Sequence, residues 1–180
     1  MSKQERYFIG LLPPPGLSEQ LQAAKKAIAA QFGPSHALKS PPHITLAPPF
    51  HAPAAQEAEL AAWQDQLVRR WPGFTVHLNG VGHFDERVVY VRVEAAEGLY
   101  ALQQAIVQGL KTAFGQAASR PYGFTPHLTL AFRDMKPGQF RAIMEWAEKE
   151  GFFSAFEARR VALMRHNGLQ WEAVAEALLQ

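Results

Sequence analysis

The chain has no cysteine among its 180 residues. That excludes a thiol nucleophile, a disulfide framework and a cysteine-ligated zinc site, and it fits a reducing compartment. A chain of this length buries enough apolar surface to fold without such staples. It also lacks any uninterrupted apolar run of the roughly 18 residues a membrane span needs. The opening MSKQERYFIGLL is too short an apolar stretch for a signal peptide before the prolines begin. A soluble cytoplasmic protein with no membrane partner is the expectation. Runs of five or more like charges are missing too, and the formal net charge is only +2. That falls short of the footprint of a DNA-coating protein, so no DNA partner is expected. A small phosphate ester or an RNA end would not be repelled.

What is present reads as mixed α and β. Residues 6–12 form an opening strand closed by Pro13-Pro14-Pro15. Ser18 caps a helix with Leu21, Ala24, Ile28 and Phe32 on one face, ending at Gly33-Pro34. A short strand at 43–47 ends at Pro48-Pro49, and a helix from Pro53 shows Leu60, Trp63 and Leu67 at helical spacing. Strands at 74–79 and 87–94 precede a helix presenting Leu99, Leu102, Ile106 and Leu110. A strand at 127–133 and a helix from Pro137 with Phe140, Ile143 and Ala147 follow. The runs 156–166 and 169–179 flank His166-Asn167-Gly168, and Asn-Gly predicts a hairpin with a tight turn. This order predicts an α+β fold with largely antiparallel sheets, in one domain over residues 1–180.

One segment occurs twice. Pro42-His43-Ile44-Thr45-Leu46-Ala47 returns, nearly half the chain later, as Pro126-His127-Leu128-Thr129-Leu130-Ala131. On a strand, residues i and i+2 share a face. Ile44 and Leu46, like Leu128 and Leu130, are expected to bury against helices. His43 with Thr45, and His127 with Thr129, then face the other way, and Ala47 and Ala131 continue that face, leaving room for a ligand. If a pseudo-twofold axis relates the halves, two imidazoles and two hydroxyls converge on one small anion. A phosphodiester needs one neutral histidine to take a proton from water and one protonated histidine to supply the leaving oxygen. Threonine hydroxyls donate to the non-bridging oxygens. This chemistry requires no metal or other cofactor, and neither motif has an acidic residue within three positions.

The paired His-x-Thr motifs resemble the 2H phosphoesterase superfamily, and within it the bacterial 2′–5′ RNA ligase family. The pieces SPPHITLAPPF, GVGHFDERVVYVRV and FTPHLTLAFRD carry the likeness. The resemblance implies a bilobal fold of two pseudo-symmetric antiparallel sheets, helices outside and a cleft between the lobes. It implies hydrolysis of RNA 2′,3′-cyclic phosphates, usually to 2′-phosphates, with weak reversible 2′–5′ ligation in some members. By position, His43 would be the proton donor, His127 the acceptor, and Thr45 and Thr129 the phosphate contacts. The chain departs from the pattern at Pro48-Pro49-Phe50, and at Phe132, where the family carries an arginine. Arg133, six residues past His127, would share the catalytic face of a regular strand and replace it.

Phe84 and Tyr122 fall in loops from which a ring could stack on a nucleobase. Lys39 reads as a surface lysine, His77 as solvated, and Trp63 and Trp146 as core. His36, His51, His83 and His166 lie at turns without a partner spacing. The implied partner is an RNA end or small nucleotide with a cyclic phosphate, bound by a monomer. The competing reading is a nucleotide- or RNA-binding module that keeps the cleft without turnover, and two proton-transfer groups argue against it. A metallohydrolase would need carboxylates beside the histidines.

Overall fold

A computed structural model describes residues 3–94, 96–116 and 123–180. Tyr122 therefore lies outside the described residues. Those residues form, in order, β1 (Gln4–Leu12), α1 (Pro15–Phe32), a 3₁₀ turn (His36–Lys39), β2 (Ile44–Pro53), α2 (Glu57–Val68), β3 (Phe74–Phe84) and β4 (Val88–Val93). There follow α3 (Glu97–Phe114), β5 (His127–Phe132), α4 (Gln139–Glu150), β6 (Phe153–Ala158), β7 (Arg160–His166) and β8 (Trp171–Leu178). No helix among them is long and apolar enough to cross a membrane.

The fold is α+β and the strand pairs are antiparallel, as expected. Instead of two separate sheets, the strands form one eight-stranded sheet in the order β6-β3-β4-β5-β2-β1-β7-β8. Its two four-stranded halves touch through one bridge, Ile44 opposite Leu128. Each half repeats a β-α-β unit, β1-α1-β2 and β4-α3-β5. The helices are exchanged: α1 packs behind β5 and α3 behind β2. Leu99, Leu102, Ile106 and Leu110 of α3 are fully buried, and such burial is worth about 1.5–3 kcal/mol for each side chain. A single cluster of buried residues runs through both halves on the helix side. A small second cluster, Phe8, Leu12, Ala162 and Met164, lies on the opposite face of β1 and β7.

Four local expectations are corrected. α1 starts at Pro15, not at a Ser18 cap, because proline has its φ preset and no N–H to satisfy in the first turn. The Ser18 N–H donates to the Pro14 carbonyl at 2.9 Å. β2 runs through Pro48-Pro49, which fall where the register with β1 shifts and the ladder needs no donor. The run 156–166 breaks at Arg159 into two strands, β6 beside β3 and β7 beside β1. Ala158 and Arg160 are at most about 7 Å apart along the chain, so the sheet curls until its two ends approach. The β7–β8 turn is a four-residue loop, since His166 pairs with Trp171. The Asn167 side chain organises it by accepting from the N–H groups of Leu169 and Gln170 at 3.0 and 2.9 Å.

Candidate active site

The site grows out of the one bridge between the halves. With Ile44 opposite Leu128 in an antiparallel pair, continuation of the register sets His43 beside Thr129 and Thr45 beside His127. Ile44, Leu46, Leu128 and Leu130 are buried toward the helices. His43, Thr45, His127 and Thr129 all line one cavity of about 380 Å³ on the other face. The pairing itself thus creates a local twofold relation between the motifs.

Both motifs contain the same irregularity. Thr45 pairs with Gly10 but Ala47 with Ile9, and Thr129 pairs with Tyr90 but Ala131 with Val89. A bulge therefore sits at Leu46 and at Leu130, turning the next residue over. Ala47 and Ala131 are buried in the helix-side core, not on the ligand face as regular alternation predicts. The second bulge brings Phe132 round to the cavity.

The two imidazoles are oriented identically. Nδ1 of His43 lies 2.8 Å from the Pro41 carbonyl, and Nδ1 of His127 lies 2.8 Å from the Thr125 carbonyl. A carbonyl only accepts, so each Nδ1 carries the hydrogen, and in the neutral ring Nε2 is the acceptor. Each ring also has an aromatic wall. Phe8 lies 4.5 Å from His43 between centroids, while Phe84 and Tyr90 each lie 5.0 Å from His127. Phe84 is thus in the cavity wall, packed on His127 and on Tyr90.

Gly10 admits the first of these stacks. A Cβ there would meet Phe8 at 3.1 Å and His43 at 3.2–3.3 Å. Gly10→Val adds two methyl groups beyond that point and displaces the imidazole. A misplacement of about 1 Å costs on the order of 100-fold in rate. We expect kcat to fall tenfold or more with the far-UV spectrum retained; an unchanged kcat would show that the ring position is not set by this contact.

The cavity is cationic. Arg6, Lys25, Lys39 and Arg133 line it, with His36 and His166, and no carboxylate is among the described residues that line it. Arg133 reaches it by a different route from regular alternation. The strand ends at Phe132, Arg133 takes a left-handed φ of 69°, and its guanidinium lies 5.5 Å over the Phe132 ring. Lys25 is a buried lysine on the apolar face of α1 whose Nζ donates to the carbonyls of Ala37 and Ser40, at 3.2 and 3.0 Å. Burial pulls it down to about 8. Asp134 holds the other end of the same turn, accepting from the N–H groups of Ser35 and His36 at 2.8 and 2.9 Å. Burial, then the charges of Lys39 and Arg133, lower the His36 proton affinity, against which Asp134 works. His166 is lowered by burial, then by Arg6 and Lys39.

Arg6, Phe8, Lys25, His36, Lys39, His166 and Trp171 were not assigned to the site by the sequence pattern. One signal was readable: Lys25 occupies a core position in the Leu21, Ala24, Ile28 stripe. Another was the alternation of Arg6, Phe8 and Gly10 along β1. His77 is exposed, as expected. A larger cavity of about 690 Å³ also includes Thr45 and His127 and runs along α3 past Tyr100, Gln103 and Phe124.

The 2′-5′ RNA ligase superfamily matches residues 13–170, which include both His-x-Thr strands. The chain belongs to this superfamily, the 2H phosphoesterases. A candidate phosphoesterase of Bacillus cytotoxicus, Bcer98_0945, is 33% identical over 116 residues, covering 63% of this chain and 64% of that protein. A Bacillus cereus relative, BCB4264_A1283, is 32% identical over 115 residues, 63% of each chain. The chain thus matches less than two thirds of the length of these relatives. In structure, the Thermus thermophilus protein TT0787 superposes with a TM-score of 0.69 at 21% identity, covering 96% of this chain and 97% of that one. Apo LigT of E. coli gives 0.68 at 21% identity over 99% of both chains. At that identity the likeness concerns the fold.

Proposed function

We propose that this 2H phosphoesterase is a metal-independent phosphodiesterase that hydrolyses a 2′,3′-cyclic phosphate, on an RNA end or a small nucleotide. The observation that carries the reading is the matched pair of imidazoles, each with Nδ1 tied to a backbone carbonyl beside a threonine on the same cavity. Such a pair needs only opposite protonation to act as acid and base.

In the reaction, Nε2 of neutral His127 takes a proton from water as its oxygen bonds to phosphorus. The bond to one ribose oxygen breaks, and protonated His43 supplies that oxygen with its proton. The two histidines end with exchanged protonation and reset through solvent. Thr45 and Thr129 donate to the non-bridging oxygens, and Arg133 offsets the charge that grows there. With a 5′-hydroxyl in place of water, the same ring opening forms a 2′–5′ linkage: His127 takes the hydroxyl proton, the bond to O3′ breaks and His43 protonates O3′, the basis of weak ligation. The solved complexes of E. coli LigT with 3′-AMP and with phosphate support nucleotide phosphate as the ligand class. Phe84, already packed on His127, is the ring we assign to the base or sugar next to the reacting phosphate.

The test is a short RNA ending in a 2′,3′-cyclic phosphate, incubated with the protein and a chelator. Gain of one water by mass, and resistance of the product to a 3′-specific phosphatase, are the expected results. No turnover, or turnover abolished by the chelator, would sink this reading.

A further inference from the structure

A cyclic phosphate held between His43 and His127 fills one end of the cationic cavity. A monoanionic cyclic phosphate does not account for four cationic side chains and two further histidines. Along β1, residues 6, 8 and 10 share the ligand face, with Gly10 opposite Thr45. Arg6 therefore starts about 13 Å along the strand from the motif row. Two rings separate its end of the cavity from His43: Phe8 lies 4.5 Å from His43, and Trp171 lies 4.7 Å from Phe8. Beyond them, the Arg6 guanidinium sits 4.8 Å over Trp171, and His166 meets the same indole at 5.0 Å. Lys39 enters from the 3₁₀ turn, near enough to depress both His36 and His166. Four chain segments thus converge on this end: β1, the 3₁₀ turn, β7 and β8.

The cluster has features of a site rather than of a solvated surface. Arg6 Nε is buried and makes no hydrogen bond among the described residues, a costly state for a cationic donor unless a ligand meets it. Neither Arg6 nor Lys39 takes part in an ion pair among the described residues, and no carboxylate lines the cavity. The buried ammonium of Lys25 fixes the carbonyls of Ala37 and Ser40, on either side of Lys39, so Lys39 is carried on a tethered segment.

We propose that Arg6, Lys39 and His166 form a second phosphate subsite, which holds the phosphate on the 5′ oxygen of the nucleoside whose cyclic phosphate reacts. This deepens the cyclic-phosphate reading and rests on it for the ligand's orientation. A nucleoside phosphorylated at both ends of its sugar is the ligand that would present one phosphate to each end of the cavity. Arginine supplies planar donors and lysine a compact charge, the pair suited to phosphate. His166 takes up a proton when a dianion arrives, because the dianion opposes the repulsion from Arg6 and Lys39. His36, edge-on to Phe132 at 4.9 Å, lies between the subsite and Arg133 and responds in the same sense, with Asp134 the acidic group acting on it. The 5′ phosphate has two sources, a terminal monoester on a small nucleotide or the internucleotide linkage of an RNA strand.

Calorimetric titration tests this without requiring turnover. The probes are adenosine 2′-phosphate, adenosine 2′,5′-bisphosphate and the dinucleotide ApA bearing a 2′-phosphate. We expect the bisphosphate to bind at least tenfold more tightly than the monophosphate, with greater proton uptake in paired buffers at pH 7. That advantage should fall to less than twofold in Arg6→Gln and in Lys39→Gln. Lys39 is exposed, so its variant isolates charge from folding. An advantage for the bisphosphate alone assigns the subsite to terminal monoesters; one shared by the dinucleotide assigns it to RNA strands. Equal binding of all three probes, or an advantage that survives both substitutions, overturns the subsite. Binding preference without hydrolysis of the corresponding cyclic phosphates would overturn the catalytic reading and leave the subsite standing.

Discussion

His43→Ala and His127→Ala are each expected to lower kcat on a cyclic-phosphate substrate by about 10²–10⁴-fold, the range for loss of one positioned proton transfer. The effect belongs on kcat rather than KM, because the threonines and cations proposed to hold the ground-state phosphate remain. Neither ring is part of the buried core, so melting temperatures should stay within a few degrees of the parent. The pH profile separates proton transfer from packing. An acid–base pair gives a bell in kcat/KM, and deleting one member removes one limb while the other persists. A proportional fall at every pH with both limbs intact would mean that the histidine shapes the cavity without transferring a proton. The double variant should be little worse than either single one, since the two histidines act as a unit.

Much of this site was legible because it depends on short-range periodicity. The duplicated Pro-His-x-Thr segment required only alternation to set His43 with Thr45, and His127 with Thr129, on one face. The stripe Leu99, Leu102, Ile106 and Leu110 likewise identified the buried face of α3. Legibility ended where a partner strand decides the outcome. The bulges at Leu46 and Leu130 are properties of the pairing with β1 and β4, and the motif's own alternation therefore misdirects Ala47 and Ala131. Arg133 is in the cavity because of a bulge and a left-handed residue, although a regular strand predicts the same place. The break at Arg159 reflects the curl of the whole sheet, to which no local pattern responds. His36 and His166 are far apart in sequence and lack a common spacing, so only the fold unites them in one cavity.

Lys25 gives the second large effect, on stability as a function of pH. An unfolded lysine titrates near 10.5, whereas burial on α1 brings Lys25 to about 8 in the folded protein. Between those values the unfolded chain binds more protons, so stability rises with pH. The gain is complete above the unfolded value, is lost as pH falls through 8, and is on the order of 3 kcal/mol. Tyr7 acts in the opposite sense. Burial, then its hydrogen bond to Glu57, raises it from 10.0 to about 12. Its contribution is fully present below pH 10 and is lost as pH rises through 12. Stability should therefore climb from pH 8 toward 10 and turn down above it. Denaturant unfolding at pH 7.5, 9 and 10 checks the climb, and Lys25→Met should abolish it. At pH 7.5 the variant sheds the buried charge but leaves the Ala37 and Ser40 carbonyls without their donor. Those terms offset, at about 1–3 kcal/mol for each orphaned carbonyl, so its stability there should be close to the parent's. The same pH slope in both proteins would mean that Lys25 is hydrated in solution. Loss of the tether also releases the segment carrying Lys39, so the variant should bind a 5′-phosphorylated nucleotide more weakly even at a pH where it is equally stable.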